Sequence, residues 1–266
     1  MYQLGVIGLG HIGVPIVEGA VHRKLLPAQD IILCGHHPEK MQRLIEAGAA
    51  QTTDEAVLAA SCRYLLLAVK PQSLPDLLPK IRPSIRNDQV IISIAAGISA
   101  DFLKAALGKD TKIVLAMPNT PIQLGYGATA VARIEPTTPE EFDFALKLFA
   151  VSGSAQEIPA GLMNEVIPLN GSSPAFLYRI AQVFVDRGVE YGFDRQAALS
   201  LFCSAMIGAA HMMLDSGSDL DTLIQGVCSK GGTTIAGLTA MEEAGLTKAL
   251  STGITACVNR AYELGK

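Results

Sequence analysis

Leu4-Gly5-Val6-Ile7-Gly8-Leu9-Gly10-His11-Ile12-Gly13 decides the fold: a short apolar strand runs straight into glycines spaced GxGxxG. Each glycine has its own job in that spacing. Gly8 permits a tight turn, Gly10 lets the backbone approach a pyrophosphate, and Gly13 lets the next helix pack close to its strand. Phosphate then meets the unpaired N–H groups of a helix starting near Ile12. Alone the spacing is weak, because glycine turns also arise for purely local reasons. The context strengthens it. Val14, Ile16, Val17, Ala20 and Val21 recur at helical spacing, and Ile31-Ile32-Leu33-Cys34 completes a strand–helix–strand unit. The stretch therefore predicts a dinucleotide site held by Gly8, Gly10, His11, Ile12 and Gly13.

A site for NAD carries Asp or Glu at the end of the second strand, where the carboxylate accepts from the ribose 2′-hydroxyl. Here the strand runs into Gly35-His36-His37-Pro38-Glu39-Lys40, with no acid at its end. Two imidazoles and Lys40 suit a 2′-phosphate, which predicts NADP, with NADPH preferred over NADH. The competing reading is that His36 and His37 are solvated loop residues.

Composition narrows the class. A chain of 266 residues is long enough for one or two domains with a sizeable core. Hydrophobic residues make up 49% and charged ones 17%, which excludes disorder, and a net charge of −4 without a basic run points away from nucleic acid and anionic membranes. Cys34, Cys62, Cys203, Cys228 and Cys257 are odd in number and lack CxxC spacing. They read as free thiols of a cytoplasmic protein, with no metal site. The first strand starts at once, leaving no room for a signal peptide. Ala197 to Leu214 is almost continuously apolar and reaches the length at which a membrane span is considered. Its Ser200, Ser204, Gly208 and His211, and its soluble-type neighbours, predict instead a helix buried in a subunit interface.

From residue 1 to about 158 strands alternate with helices, the pattern of an open parallel sheet. Tyr64 to Val69 and Val90 to Ile94 are apolar runs without alternation, suited to strands covered on both faces. The first stops at Lys70-Pro71, since proline cannot continue a central strand. Lys112 to Ala116 and Gly127 to Val131 are further strands, and Pro139 to Phe149 is the last helix of this part. Beyond Pro159 the chain reads as helices only, near 173–191, 195–216, 220–227, 234–244 and 246–264. The expectation is an α/β chain: a Rossmann-type dinucleotide-binding domain over residues 1–158 and an all-helical domain over 159–266 that dimerises.

Six stretches taken together carry a resemblance: Gly8 to Gly13, Ala68-Val69-Lys70-Pro71, Ser93-Ile94-Ala95-Ala96-Gly97, Met117-Pro118-Asn119-Thr120-Pro121, Gly171-Ser172-Ser173-Pro174-Ala175, and Ser229-Lys230-Gly231-Gly232-Thr233-Thr234-Ile235-Ala236-Gly237-Leu238. In this order and spacing the chain resembles the pyrroline-5-carboxylate reductase family over essentially its whole length. The resemblance implies reduction of the cyclic imine 1-pyrroline-5-carboxylate to L-proline with NAD(P)H, in a homodimer or a larger assembly of dimers. It implies that Thr234 contacts the ring nitrogen, and that Ser229, Lys230, Gly231, Gly232 and Thr233 surround the substrate carboxylate. It further implies that Ala68, Val69, Lys70 and Pro71 line the cofactor, with Ala95, Ala96 and Asn119 toward its nicotinamide end. Simple N-capping of the following helix is the competing reading of Thr233 and Thr234. Solvation at a strand end is that of Lys70.

The departures from the family pattern bear on substrate. Leu115-Ala116 stand where Arg usually precedes the MPNTP motif, Ile167-Pro168-Leu169-Asn170 replace Thr, a small residue, Leu and Ser, and Ser173 replaces a glycine. Lys230 occupies the usual proline of SPGGTT, adding a cation and loop freedom beside the carboxylate site. Another cyclic imine acid is therefore an alternative substrate, and a non-catalytic dinucleotide-binding paralogue an alternative class. A β-hydroxyacid dehydrogenase needs a catalytic lysine on the helix after Gly171, which offers Arg179 and no lysine.

Overall fold

The computed structural model describes residues 1–35 and 38–264, without the side chains of Pro38 and Lys40. Two compact units emerge, one of residues 1–174 with 257–266 and one of residues 175–256.

The first unit is built on an eight-stranded sheet. Its strands are β1 (Tyr2–Ile7), β2 (Ile31–Cys34), β3 (Ala50–Thr52), β4 (Cys62–Leu67), β5 (Val90–Ser93), β6 (Lys112–Met117), β7 (Gly127–Ile134) and β8 (Gly153–Glu157), in the order β3-β2-β1-β4-β5-β6-β7-β8. β1 to β6 are parallel, and the order reverses at β1, between β2 and β4. That reversal opens a crevice at the carboxyl ends of the strands. Two expectations are corrected here. β7 runs antiparallel to β6, and β8, which carries no apolar run, pairs beside it as a partly exposed edge.

Strand alternation explains the two cores. Leu4 and Val6 of β1, with Tyr64 and Leu66 of β4, face one apolar layer. There they meet Ile16, Val17 and Ala20 of α1 (Gly13–His22) and Phe142, Ala145, Leu148 and Phe149 of α6 (Pro139–Ala150). Ile7, Leu65 and Leu67 point the other way. They pack against Leu58 of α3 (Glu55–Ser61), Leu74, Leu77, Leu78 and Ile81 of α4 (Leu74–Ile81), and Leu103 of α5 (Ala100–Leu107). Gly5 keeps this second layer close: a Cβ there would lie 2.6 Å from Cys62 Sγ. The remaining helix of this layer system, α2 (Pro38–Glu46), follows β2.

At the opposite end from the glycine turn, charges are locked. Glu141, 7% exposed in its side chain, accepts from Lys112 Nζ at 2.6 Å and Arg63 Nη2 at 2.8 Å. Its other oxygen accepts from the Thr138 N–H in a capping box that starts α6. Burial pushes the Glu141 carboxyl up, but the hydrogen bonds and charges of Lys112, Thr138 and Arg63 outweigh it and leave it below the ordinary glutamate value.

The second unit is helical. It takes most of α7 (Ser173–Glu190), α8 (Arg195–Asp215), α9 (Leu220–Val227), α10 (Thr233–Glu243) and the first part of α11 (Leu246–Leu264). Asp194 and Asp219 cap α8 and α9 by accepting from the Ala197 and Thr222 N–H groups at 3.0 and 2.7 Å. Phe184 and Phe202 stack at 4.4 Å between α7 and α8. The cover expected for α8 is a subunit interface, and the single chain does not itself bury the helix. α8 has no buried residue, and Leu201 is 64%, Ile207 62% and Leu214 82% exposed. It is long and apolar enough to cross a membrane by length and composition, and its own chain covers it only in part, at residues such as Ala198, Phe202 and Met206.

Candidate dinucleotide site and the loop before α10

The glycine turn has the geometry its spacing demands. Gly8 adopts φ +96°, and a Cβ there would sit 2.6 Å from the Ala68 carbonyl oxygen. At Gly13 a Cβ would lie 2.4 Å from the Gly8 oxygen and 3.2 Å from the Ala68 Cβ, so helix α1 approaches β1 and β4 as only glycine permits. Gly10 differs, with nothing within 4 Å of its Cβ position. Open space beside bare backbone is what a pyrophosphate needs. The turn is tied down by its neighbours. The Gly8 N–H donates to the Cys34 carbonyl at 3.0 Å, and the Ala68 N–H to the Ile7 carbonyl at 2.8 Å. Ile12 occupies the cap position of α1 with no side-chain cap, and within the first turn the Val14 N–H donates to the Gly10 carbonyl at 3.2 Å while Pro15 carries no N–H.

Two cavities meet at Gly10. One, of about 370 Å³, runs from Gly8, Leu9 and Gly10 past Cys34 and Gly35 to Val69, and its far wall is Glu55, Ser73 just before α4, and the Asp76, Leu77 and Lys80 face of α4. The other, of about 390 Å³, includes His11, Val14 and Glu18. Gly8, Gly10 and Val69 are thus together in one wall. Ala68 touches the glycine turn, while Lys70 is exposed and precedes the single turn Pro71–Ser73. Ala95 is buried and Ala96 exposed at the end of β5, before Gly97 at φ +76°. His36 and His37 lie outside the described residues, as does the side chain of Lys40.

Asn119 is buried and already occupied. Its Nδ2 donates to the Asn170 carbonyl at 3.0 Å, and its Oδ1 accepts from the Ala128 N–H at 2.8 Å. Asn170 answers with Nδ2 to the carbonyls of Met117, at 2.6 Å, and Ala128, at 3.0 Å. The pair clamps the ends of β6 and β7 to the turn 167–171. Sequence reasoning noted Asn170 only as a departure and missed this clamp. It also missed Glu55, Gln72, Ser73, Asp76 and Lys80. Spacings of three and four residues from Ser73 to Lys80 mark one helix face, a signal that reads as ordinary solvated surface.

The segment 228–234 belongs to the helical unit. The Gly232 N–H donates to the Ser229 carbonyl at 2.9 Å, closing a turn through Gly231 at φ +72°. Gly232 packs against Ser229, where a Cβ would lie 2.3 Å from Oγ. Gly232, not a threonine, is the cap residue of α10, and Thr233 is its first helical residue. No side chain caps this helix. The capping reading of Thr233 and Thr234 is thereby set aside. Lys230 is exposed and Thr234 half-buried.

Residues 160–264 match the family model of the pyrroline-5-carboxylate reductase dimerisation region. Residues 3–97 match that of the coenzyme F420-dependent NADP oxidoreductases. The pyrroline-5-carboxylate reductase of Methanosarcina acetivorans is 33% identical over 265 residues, covering 99% of this chain and 98% of that protein. This chain belongs to the pyrroline-5-carboxylate reductase family. The family's architecture extends to solved structures. The Coxiella burnetii pyrroline-5-carboxylate reductase superposes with a TM-score of 0.91 at 27% identity, covering 100% of this chain and 99% of that one. A Plasmodium falciparum pyrroline carboxylate reductase solved with NADP bound gives 0.90 at 24% identity, over 100% and 98%, a likeness of fold. The chain is an oxidoreductase with an NAD(P)-binding Rossmann domain and a helical region of the family's dimerisation type.

Proposed function

We propose that this protein reduces 1-pyrroline-5-carboxylate to L-proline with NADPH, as a cytoplasmic homodimer. The observation that carries the site reading is the start of α10. Thr233 and Thr234 stand in its first turn with hydroxyls unspent on capping, beside N–H groups that no side chain satisfies. A helix N-terminus with bare amides suits the substrate carboxylate, and a hydroxyl at its edge suits the ring nitrogen. In this reading Ser229, Lys230, Gly231, Gly232 and Thr233 hold the carboxylate, and Thr234 Oγ1 accepts from the iminium N–H and orients the ring. NADPH supplies the hydride that reduces the imine carbon, leaving the electron pair of the C=N π bond on a nitrogen that ends as a secondary amine.

The residues at the glycine turn fit such a cofactor, because the space beside Gly10 is the one a side chain would fill. Gly8, Gly10, His11, Ile12 and Gly13 would hold its phosphates, Ala68, Val69, Lys70 and Pro71 its middle, and Ala95, Ala96 and Asn119 the approach to nicotinamide, Asn119 by holding backbone in place. The absence of an acid in Cys34-Gly35, with His36, His37 and Lys40 following, supports NADPH over NADH. Two domains, 1–158 and 159–266, and reduced cysteines in a cytoplasmic setting complete the reading. All five cysteines are free thiols.

Thr234→Ala tests the assignment. Loss of one hydrogen bond to a charged ring should lower turnover on 1-pyrroline-5-carboxylate by about ten- to a hundredfold while NADPH binding is kept. Unchanged turnover would remove Thr234 from the chemistry. Lys230, exposed at the carboxylate loop, favours one second reading, a six-membered cyclic imine acid; faster turnover of a piperideine carboxylate than of the pyrroline would establish it.

A further inference from the structure

The cavity between the glycine turn and α4 carries a carboxylate that no motif announced. Glu55 is the first residue of α3 and lines this cavity together with Gly8, Gly10, Cys34 and Gly35. The segment Cys34-Gly35 is the end of β2, where the fold receives the adenosine ribose. Glu55 is half-buried, and no hydrogen bond or ion pair occupies it among the described residues. It is not the cap of its helix. Asp54 does that work, accepting from the Ala56 and Val57 N–H groups at 2.8 and 3.1 Å, so the amides that could have favoured an anion at this end of α3 are already spent. Burial first, then the charges of Glu55 and Asp54, push the neighbouring Cys34 thiol up to about 11, which places the field of both carboxylates at the β2 end. Of the other ionisable groups in the described wall, Asp76 adds a second negative charge and Lys80 a single positive one, both exposed on α4.

We propose that Glu55 is a specificity-determining residue for the dinucleotide: its carboxylate takes the place of the missing strand-end acid, accepting from the ribose 2′-hydroxyl of NADH and repelling the 2′-phosphate of NADPH. The strand order brings the start of α3 alongside the end of β2, so the chemistry of the usual acid reappears from a different element. This inference rests on the proposed reading of the cavity as the adenosine-ribose site. It opposes the preference supplied by His36, His37 and Lys40, and so sets how far NADPH is favoured.

The test is the ratio of dissociation constants for NADPH and NADH, measured by fluorescence titration of the full-length protein and of Glu55→Gln, without imine present. Removing a like charge beside a phosphate dianion should tighten NADPH and weaken NADH, moving the ratio toward NADPH by roughly tenfold. A merely structural role would weaken both dinucleotides together and leave the ratio unmoved, which would overturn the inference while keeping the site. Failure of the wild-type protein to bind either dinucleotide would overturn the site reading itself. Should Glu55→Gln fold poorly, Glu55→Ser gives the same readout, and a shift in its ratio of the same sign supports the assignment.

Discussion

Replacing Gly10 by alanine separates binding from folding at the glycine turn, and Gly8→Ala provides the contrast. At Gly10 the added methyl meets nothing within 4 Å, and the backbone lies outside the left-handed region. Stability should change by no more than about 0.5 kcal/mol. The methyl points into the space required by a pyrophosphate, however, and holding the phosphate off forfeits one or two charge-assisted hydrogen bonds of about 1.5–3 kcal/mol each. NADPH affinity should fall by about ten- to a hundredfold or more. At Gly8 the left-handed φ costs a side chain about 1–2 kcal/mol. A Cβ 2.6 Å from the Ala68 oxygen and 2.8 Å from Val69 Cγ1 adds about 1–3 kcal/mol of forced displacement. Denaturant unfolding should therefore show Gly10→Ala close to wild type and Gly8→Ala about 2–5 kcal/mol less stable. Fluorescence titration with NADPH completes the comparison. A Gly10→Ala protein that binds NADPH as tightly as wild type would refute the reasoning, as would one that unfolds as early as Gly8→Ala.

The Glu141 cluster makes stability depend on pH in a defined direction. Its folded value lies below the unfolded one of about 4.3, so the contribution is complete above that pH and drains away as pH falls through the folded value. Glu141→Gln should lower stability at neutral pH by about 2–3 kcal/mol and flatten the acid limb, read by denaturant melts between pH 3 and 7; an unchanged limb would show that the cluster is not its source. Burial holds the Cys34 and Cys62 thiols up at about 11, so both should resist a thiol-specific reagent at pH 8 in the native protein and react after unfolding, as mass spectrometry would record. Ile207, 62% exposed on α8, should lie in the homodimer interface. Ile207→Asp should shift light-scattering mass toward monomer, and a mass unaltered by the charge would move the interface elsewhere.

Legibility in the sequence followed burial. β1, β4 and β5 announce themselves because both faces of a central parallel strand are covered and every residue can be apolar, as in Leu65-Leu66-Leu67. Gly153-Ser154-Ala155-Gln156-Glu157 forms an edge strand whose alternate residues face solvent, so neither an apolar run nor turn chemistry marked it. Direction is hidden as well. The residue pattern of β7 is the same whether it runs with or against β6, and only the short connection through 120–124 permits the antiparallel pairing. The glycine turn was readable because Gly8 and Gly13 are demanded by backbone contacts that lie close in sequence or at the end of the next apolar strand. Glu55 was not, since its place at the β2 end depends on how β3 and α3 fold back across the sheet, and a lone acid at a helix start looks like an ordinary first-turn charge. α8 shows the limit from the other side. Its composition demands cover, and one chain buries none of its residues.

The most direct test of the central claim is NADPH oxidation by the purified protein in the presence of 1-pyrroline-5-carboxylate, with the product identified. Turnover that requires the imine and yields L-proline in step with the NADPH consumed is the predicted result. Tight NADPH binding with no proline formed would contradict the assignment.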